Sequence, residues 1–296
     1  MADQDKLHHP SPPLAKRSTG RRQRFSPPGE PIFHGINTVG LWSLYEKEVR
    51  RFLKVQTQTI WAPAVTTLLF LVIFSIALGR GSDREVFGVN FVSFIAPGLI
   101  AMAMMQNAFA NTSFSLLAGK IQGTIIDLLM PPLSVGELMG GIVAAGVTRA
   151  ILVGLAVGIA ELIYPGLSLT ITHLWAVIWF GLMGAIMLSL FGLLASIWAE
   201  KFDHNAAVTN FVVAPLSLLS GTFYTIDRLH GTFQAISMAN PFFYVISGFR
   251  YGFVGQSDIG TGDTAVVLAA VGLGAFNLLL GLGTYLVLRS GWKLKS

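Results

Sequence analysis

Between Val86 and Gly119 the chain carries no charged side chain, and the same holds for Val55 to Gly79, Leu162 to Ala199, Asn205 to Ile226 and Thr264 to Leu288. Uncharged runs of this length leave few folds open. About 20 apolar residues at 1.5 Å each cross the roughly 30 Å of hydrocarbon in a bilayer. A soluble domain holds about a quarter charged residues, whereas here 12% are charged and 53% hydrophobic. The chain therefore reads as an all-α membrane protein, because a helix satisfies its own backbone groups where no water can. Six transmembrane helices are predicted at about 59–79, 91–114, 138–160, 174–198, 205–226 and 264–288.

Residues 1–36 read as a disordered, basic, Pro-rich cytoplasmic tail. It holds six prolines and six basic residues and has no apolar core of a signal peptide. An electrostatic tether to anionic headgroups is the functional alternative. Asn37 to Lys54 reads as an N-terminal interfacial amphipathic helix. On a helical projection Leu41, Trp42, Tyr45, Val49, Phe52 and Leu53 share one arc, with Lys47, Arg50, Arg51 and Lys54 opposite.

Asp227 to Asp263 is too polar for a span and too apolar for an ordinary loop. Its short apolar runs, broken at Asn240-Pro241 and Gly248, suit a re-entrant external helical segment between spans five and six. With the amino terminus inside, 15 of the 20 Lys and Arg fall in cytoplasmic segments and four (Arg80, Arg84, Arg228, Arg250) outside. The positive-inside rule then places both termini in the cytoplasm.

Chemistry is sparse. Without cysteine there are no disulfides, thiolate metal sites or thiol nucleophiles. The six histidines show no metal-ligand spacing, and Gly119-Lys120 lacks both the leading Gly and the following Ser or Thr of a P-loop. No cofactor site is expected in this chain, and no nucleic-acid partner. Carboxylates carry protons in many ion-coupled transporters, yet none lies in the middle of a span; Glu137 and Glu161 bracket the third. Arg149, near the centre of that span, is the one charge well inside a predicted span. Such a residue either contacts an anionic substrate or makes a structural hydrogen bond to a neighbouring helix.

The segment from Lys120 to Met139 begins with a short amphipathic piece and breaks at Pro131-Pro132. It restarts with Ser134 as N-cap and Glu137 three residues on, a capping box. A short helix shown at the membrane surface suits either a docking element or an interfacial turn. From the residues alone, a permease driven by a partner, a self-sufficient channel or ion-coupled secondary transporter, and an intramembrane enzyme all stay open.

Three stretches, in order, resemble the ABC-2 type transport permeases. They are Gly123-Thr-Ile-Ile-Asp-Leu-Leu-Met-Pro-Pro-Leu-Ser-Val-Gly-Glu-Leu138, Pro215 to Ile226, and Ala239-Asn-Pro-Phe-Phe-Tyr-Val-Ile-Ser-Gly-Phe-Arg-Tyr-Gly-Phe253. The resemblance covers nearly everything past the tail and implies one transmembrane domain over 37–290. It implies a non-catalytic membrane subunit of an exporter, with ATP hydrolysed on a separate ABC ATPase and two permeases paired with two ATPases. The implied substrate is an amphiphile: a lipid-linked glycan or a drug-like molecule. It also implies an ATPase-coupling element containing Lys120, Gly123, Thr124, Asp127 and Pro131. The implied translocation path uses Arg149, Ser217, Ser220, Phe223, Asn240 and Pro241, with Met104, Met105 and Asn107 facing it from the second span.

Overall fold

Helix order follows the apolar runs, and its punctuation follows caps and glycines. The computed structural model describes residues 35–78, 85–260 and 262–293; the tail predicted over 1–36 lies almost wholly outside them. Helix α1 (Thr38–Leu53) starts where the Asn37 side chain accepts the Gly40 amide at 2.9 Å. A π-helical stretch, Thr57–Trp61, leads into α2 (Ala62–Leu78). A two-stranded hairpin, β1 (Glu85–Val86) and β2 (Val89–Asn90), precedes α3 (Phe91–Ile121). Then come α4 (Ile125–Leu129), α5 (Val135–Glu161) and α6 (Leu174–Trp198). They are followed by α7 (Phe202–Val208), a second π stretch (Thr209–Val213) and α8 (Ala214–Leu218). Helices α9 (Thr232–Ala239), α10 (Pro241–Val254) and α11 (Asp263–Ser290) complete the chain.

Among the described residues five helices are long and apolar enough to cross a membrane: Thr57–Ala77, Phe91–Ile121, Val135–Glu161, Leu174–Trp198 and Asp263–Ser290. Each matches one of the six predicted spans. The predicted span at 205–226 differs. Its helix begins earlier, at Phe202, and ends at Leu218, in pieces of seven, five and five residues. That is short of the roughly 20 residues a full crossing takes. The cause is local. The chain reverses at Gly221, whose φ of 74° only glycine adopts without strain, and the Thr222 hydroxyl donates back to the Ser217 carbonyl at 3.3 Å.

Helix α3 is buried almost end to end, as a helix apolar on all sides should be. It packs on α6, α5 and α10, while α2 and α11 lie outermost. Exposed Val65, Leu69, Ile73 and Ile76 on α2, and Leu268, Leu278, Leu279 and Leu282 on α11, form faces that acyl chains solvate at no cost. Close approach in the centre relies on glycines. A Cβ added at Gly248 would stand 2.5 Å from the Phe180 ring, and one at Gly252 would stand 2.8 Å from the Val177 backbone nitrogen. A smaller apolar cluster of Leu44, Leu116, Leu128, Leu138, Ile142, Leu193, Ile197 and Leu288 ties α1, α3, α4, α5, α6 and α11 at the end of the bundle that carries α4.

Helix α1 corrects the projection. Its packed seam is Leu44, Glu48 and Phe52, on the side that meets α5, whereas Trp42 and Leu53 are exposed. The apolar arc and the protein seam are offset because α1 has two neighbours, the bundle and whatever lies outside it. Leu44 fits because Gly141 leaves room; a Cβ there would meet its Cδ2 at 2.9 Å. Arg51, expected on the outer basic face, turns inward instead and pairs with Glu48 at 2.9 Å.

Candidate coupling segment and membrane polar sites

The turn from α3 to α5 is built from the residues that its sequence singled out. Gly123, with φ 72° and open space around it, ends α3. Thr124 then opens α4, with the Asp127 amide donating to its carbonyl at 3.1 Å. Within α4 only Leu128 is buried, against a groove of about 200 Å³ lined with Pro131, Leu133, Val135, Leu138 and Leu288. Ile121, Ile126, Leu129 and Met130 point outward beside exposed Asp127, and Met130 is 76% exposed. This is an anchored apolar tip with one acidic residue, a form suited to meeting another surface.

Lys120 does not belong to that tip. Its ammonium donates to the carbonyls of Ile197 at 2.7 Å, Ala199 at 2.8 Å and Ser196 at 3.2 Å, capping the last turn of α6. The capping box forms as predicted: Glu137 donates its amide to Ser134 Oγ at 3.3 Å, and its carboxylate accepts the Ser134 amide at 2.6 Å. The same carboxylate also accepts the Asn37 amide, and Asn37 Nδ2 donates to the Pro132 carbonyl at 3.3 Å. One acidic side chain thus joins the starts of α1 and α5. Outside the spans, Lys293 donates to Glu200 at 2.8 Å and holds its carboxyl below the usual range.

A second polar group lies within the bundle. Arg149 Nη2 donates to Asn107 Oδ1 on α3 at 2.9 Å. One turn along α3, Asn111 receives Arg51 Nη2 at its carbonyl (2.8 Å) and at Oδ1 (3.3 Å). Burial lowers the Arg51 pKa, against the opposing pull of Glu48. Met105 is buried, and Met104 fills the gap at Gly154.

The remaining path candidates converge elsewhere. Ser217 donates to the Val213 carbonyl at 2.7 Å and Ser220 to the Ser217 carbonyl, so both hydroxyls serve their own chain. Phe223 packs against Phe74 of α2 with ring centroids 4.0 Å apart and the rings tilted by 33°. Asn240 caps α10 by accepting the Phe242 amide at 3.0 Å, with Pro241 as first residue, and its Nδ2 holds the Leu216 carbonyl at 2.7 Å. The Asn-Pro pair is therefore a helix start tied to α8. Ser217, Ser220 and Asn240 come together in one knot; Arg149 is not part of it.

The centre of that knot is Arg250, which charge counting assigned to an external segment. It is 1% exposed. Nε donates to the Phe94 carbonyl at 3.1 Å, and Nη2 donates to Gly221 at 2.7 Å and Thr222 at 3.2 Å. Nη1 meets Asp258 at 3.1 Å, and the guanidinium stands 3.9 Å from the Phe94 ring centroid. Burial pushes the Asp258 carboxyl up to about 6 despite Arg250. A pattern of glycines four apart around an Arg, Gly248-Phe-Arg-Tyr-Gly252, was the available signal: the glycines press α10 into the bundle and carry the Arg with it.

The class these features define is a polytopic helical membrane protein with a braced, exposed apolar tip, and its family is shown by comparison. The family described as ABC-2 type transporter matches residues 39–254, and the chain belongs to it. It is 37% identical over 223 residues to the inner membrane transport permease YadH of Escherichia coli (strain K12), covering 75% of this chain and 85% of that one. Nodulation protein J of Rhizobium leguminosarum bv. viciae is 27% identical over 227 residues, covering 75% and 84%. Nodulation protein J of Rhizobium meliloti (strain 1021) is 23% identical over 218 residues, covering 73% and 81%.

Proposed function

We propose that this chain is the permease subunit of an ABC exporter of the inner membrane, moving an amphiphile with ATP hydrolysed on a separate ATPase. A lipid-linked glycan or a drug-like molecule fits the reading. Both termini face the cytoplasm, and two copies of the chain join two ATPase chains. The observation that carries this is the α4 tip: exposed Ile126, Asp127, Leu129 and Met130 on a five-residue helix whose Leu128 is anchored in the bundle. Glu137 braces the same junction to α1. A push on α4 then moves α1, α3 and α5 together instead of bending a loop. Gly123, Thr124 and Pro131 set the turn geometry, and Asp127 is the charged contact.

The mechanism follows. ATP binding closes the ATPase pair, and the tips transmit that closure to the bundle. The permease pair then alternates between openings to the two sides. The test is co-purification of the chain with its candidate ATPase, followed by ATPase rate in nanodiscs. Asp127→Arg with Met130→Glu alters only exposed side chains and is expected to abolish association while leaving the melting temperature unchanged. If no ATPase associates and the purified chain moves ions or solutes without ATP, the reading fails.

A further inference from the structure

The group around Arg149 contains more donors than acceptors. Two guanidiniums, Arg149 from α5 and Arg51 from α1, meet the amides of Asn107 and Asn111 on α3. Arg51 is paired with Glu48 at 2.9 Å, which leaves Arg149 as the excess positive charge. The Asn107 amide nitrogen is used by the Ala103 carbonyl at 3.0 Å. The Asn111 amide nitrogen and Arg149 Nε, both buried, have no hydrogen-bond partner among the described residues. Asn111 is 1% exposed, so bulk water does not satisfy its amide.

These two are donors, on side chains that hold the cluster together; Glu48 Oε2, also buried without a hydrogen bond, is met by Arg51 as its ion pair. Native structures pair nearly all buried polar atoms, so two orphan donors beside an unneutralised guanidinium point to a missing acceptor. A planar guanidinium fork matches phosphate oxygens two at a time. The neighbouring surface is apolar. On the same side of α3, Ala110 and Phe114 are exposed; Phe114 stacks on exposed Phe202 of α7 at 5.4 Å and lies 5.8 Å from the Arg51 guanidinium.

We infer that Arg149, Arg51 and Asn111 form a binding site for a phosphate-type oxyanion, with the Phe114–Phe202 pair beside it as the seat for an attached apolar chain. The inference deepens the exporter reading: only under that reading is the site a substrate site, whereas the binding itself is independent of any ATPase. It narrows the amphiphile to one with an anionic phosphate head.

The experiment uses the full chain alone in a neutral maltoside detergent, following its melting temperature as ligand is titrated. The probes are dodecyl phosphate, inorganic phosphate and dodecanol. Dodecyl phosphate is expected to raise the melting temperature, with dodecanol giving no rise. Arg149→Gln is expected to weaken its apparent affinity by about tenfold or more, with Arg149→Lys, which keeps the charge but loses the fork, falling between Gln and the parent. Arg51→Gln, at a partly exposed position, is expected to weaken binding as well, and it decides the matter if Arg149→Gln does not fold. A rise with inorganic phosphate of equal size supports the oxyanion site with a free anion as ligand. A rise with the amphiphile alone supports a lipid-borne phosphate. The proposal is overturned if dodecyl phosphate behaves as dodecanol does, or if the folded Gln variants bind as tightly as the parent. Because no ATPase is present, failure of the exporter reading leaves this result intact, and the reverse also holds.

Discussion

The carboxylate of Glu137 accepts the backbone amide of Asn37, one hundred residues earlier in the chain, and the amide of Ser134 in its own helix cap. Two helix starts share one acceptor, so α1 and α5 cannot shift separately at this end without losing a hydrogen bond. Glu137→Ala removes both. It is expected to lower stability by about 1–2 kcal/mol, read from thermal or denaturant melting in detergent. Hydrogen exchange at the first turn of α1 should rise with it. Ser134→Ala breaks only the box and should leave α1 exchange unchanged; equal effects of the two variants would sink the shared-acceptor account.

Lys120 tests the division between support and contact. Its ammonium satisfies three carbonyls at the end of α6, where a cation also complements the helix dipole. Lys120→Met is expected to cost about 1 kcal/mol of stability while leaving partner ATPase association intact. Asp127→Arg should do the opposite. A pull-down and a melting curve on both variants check the pair, and a loss of association in well-folded Lys120→Met would place Lys120 at the interface after all.

Much of this arrangement was legible in advance. Lack of charge over long runs fixes a helix wherever water is absent, so five long apolar helices lie where spans were expected, the second running on to Ile121 instead of ending near 114. The Ser134–Glu137 box and the Asn240-Pro241 break were readable because capping chemistry is local. What stayed hidden was anything decided by a neighbouring helix. Arg250 counts as an external charge until α10 is seen packed on α3 and α6, where carbonyls of Phe94, Gly221 and Thr222 receive it. Arg51 looks like a surface charge on a helical wheel, because the wheel does not show which face meets α5. The hydroxyls of Ser217 and Ser220 suggest a lined path, yet back-bonding to the preceding turn consumes them, a choice that spacing does not reveal.

Asp258 gives the fold a pH dependence. Burial raises its folded pKa to about 6 from the ordinary 3.8. The folded state therefore binds the proton more tightly than the unfolded chain between those values. Stability from this group is complete below about pH 3.8 and is lost as pH rises through 6. Going from pH 7.5 to 5 is expected to add about 1 kcal/mol from this site. Asp258→Asn should flatten that slope and, standing in for the neutral carboxyl that the fold favours, hold neutral-pH stability at or above the parent's. Melting curves at several pH values check both; an unchanged slope in Asp258→Asn would assign the dependence to another group.

Two pairs of glycines four residues apart make opposite predictions from the same spacing. Gly136 and Gly140 on α5 look like a helix-contact motif, yet a Cβ at either meets nothing within 4 Å. Gly248 and Gly252 on α10 lie against α6: a Cβ at Gly252 would fall 2.5 Å from Val177 Cγ2, 2.8 Å from its backbone nitrogen and 3.2 Å from the His173 carbonyl. A side chain can rotate away, but backbone moves only if the helix does. Gly140→Ala is therefore expected to be neutral or to stabilise by up to about 1 kcal/mol through helix propensity. Gly252→Ala must push α10 off α6, a typical overpacking cost of about 1–3 kcal/mol. It should also loosen Arg250, two residues away on the same helix. Paired melting temperatures in detergent decide it: the two variants should move in opposite directions or differ by several degrees, and equal shifts would mean that α10 is not packed on α6 as closely as the glycine contacts require.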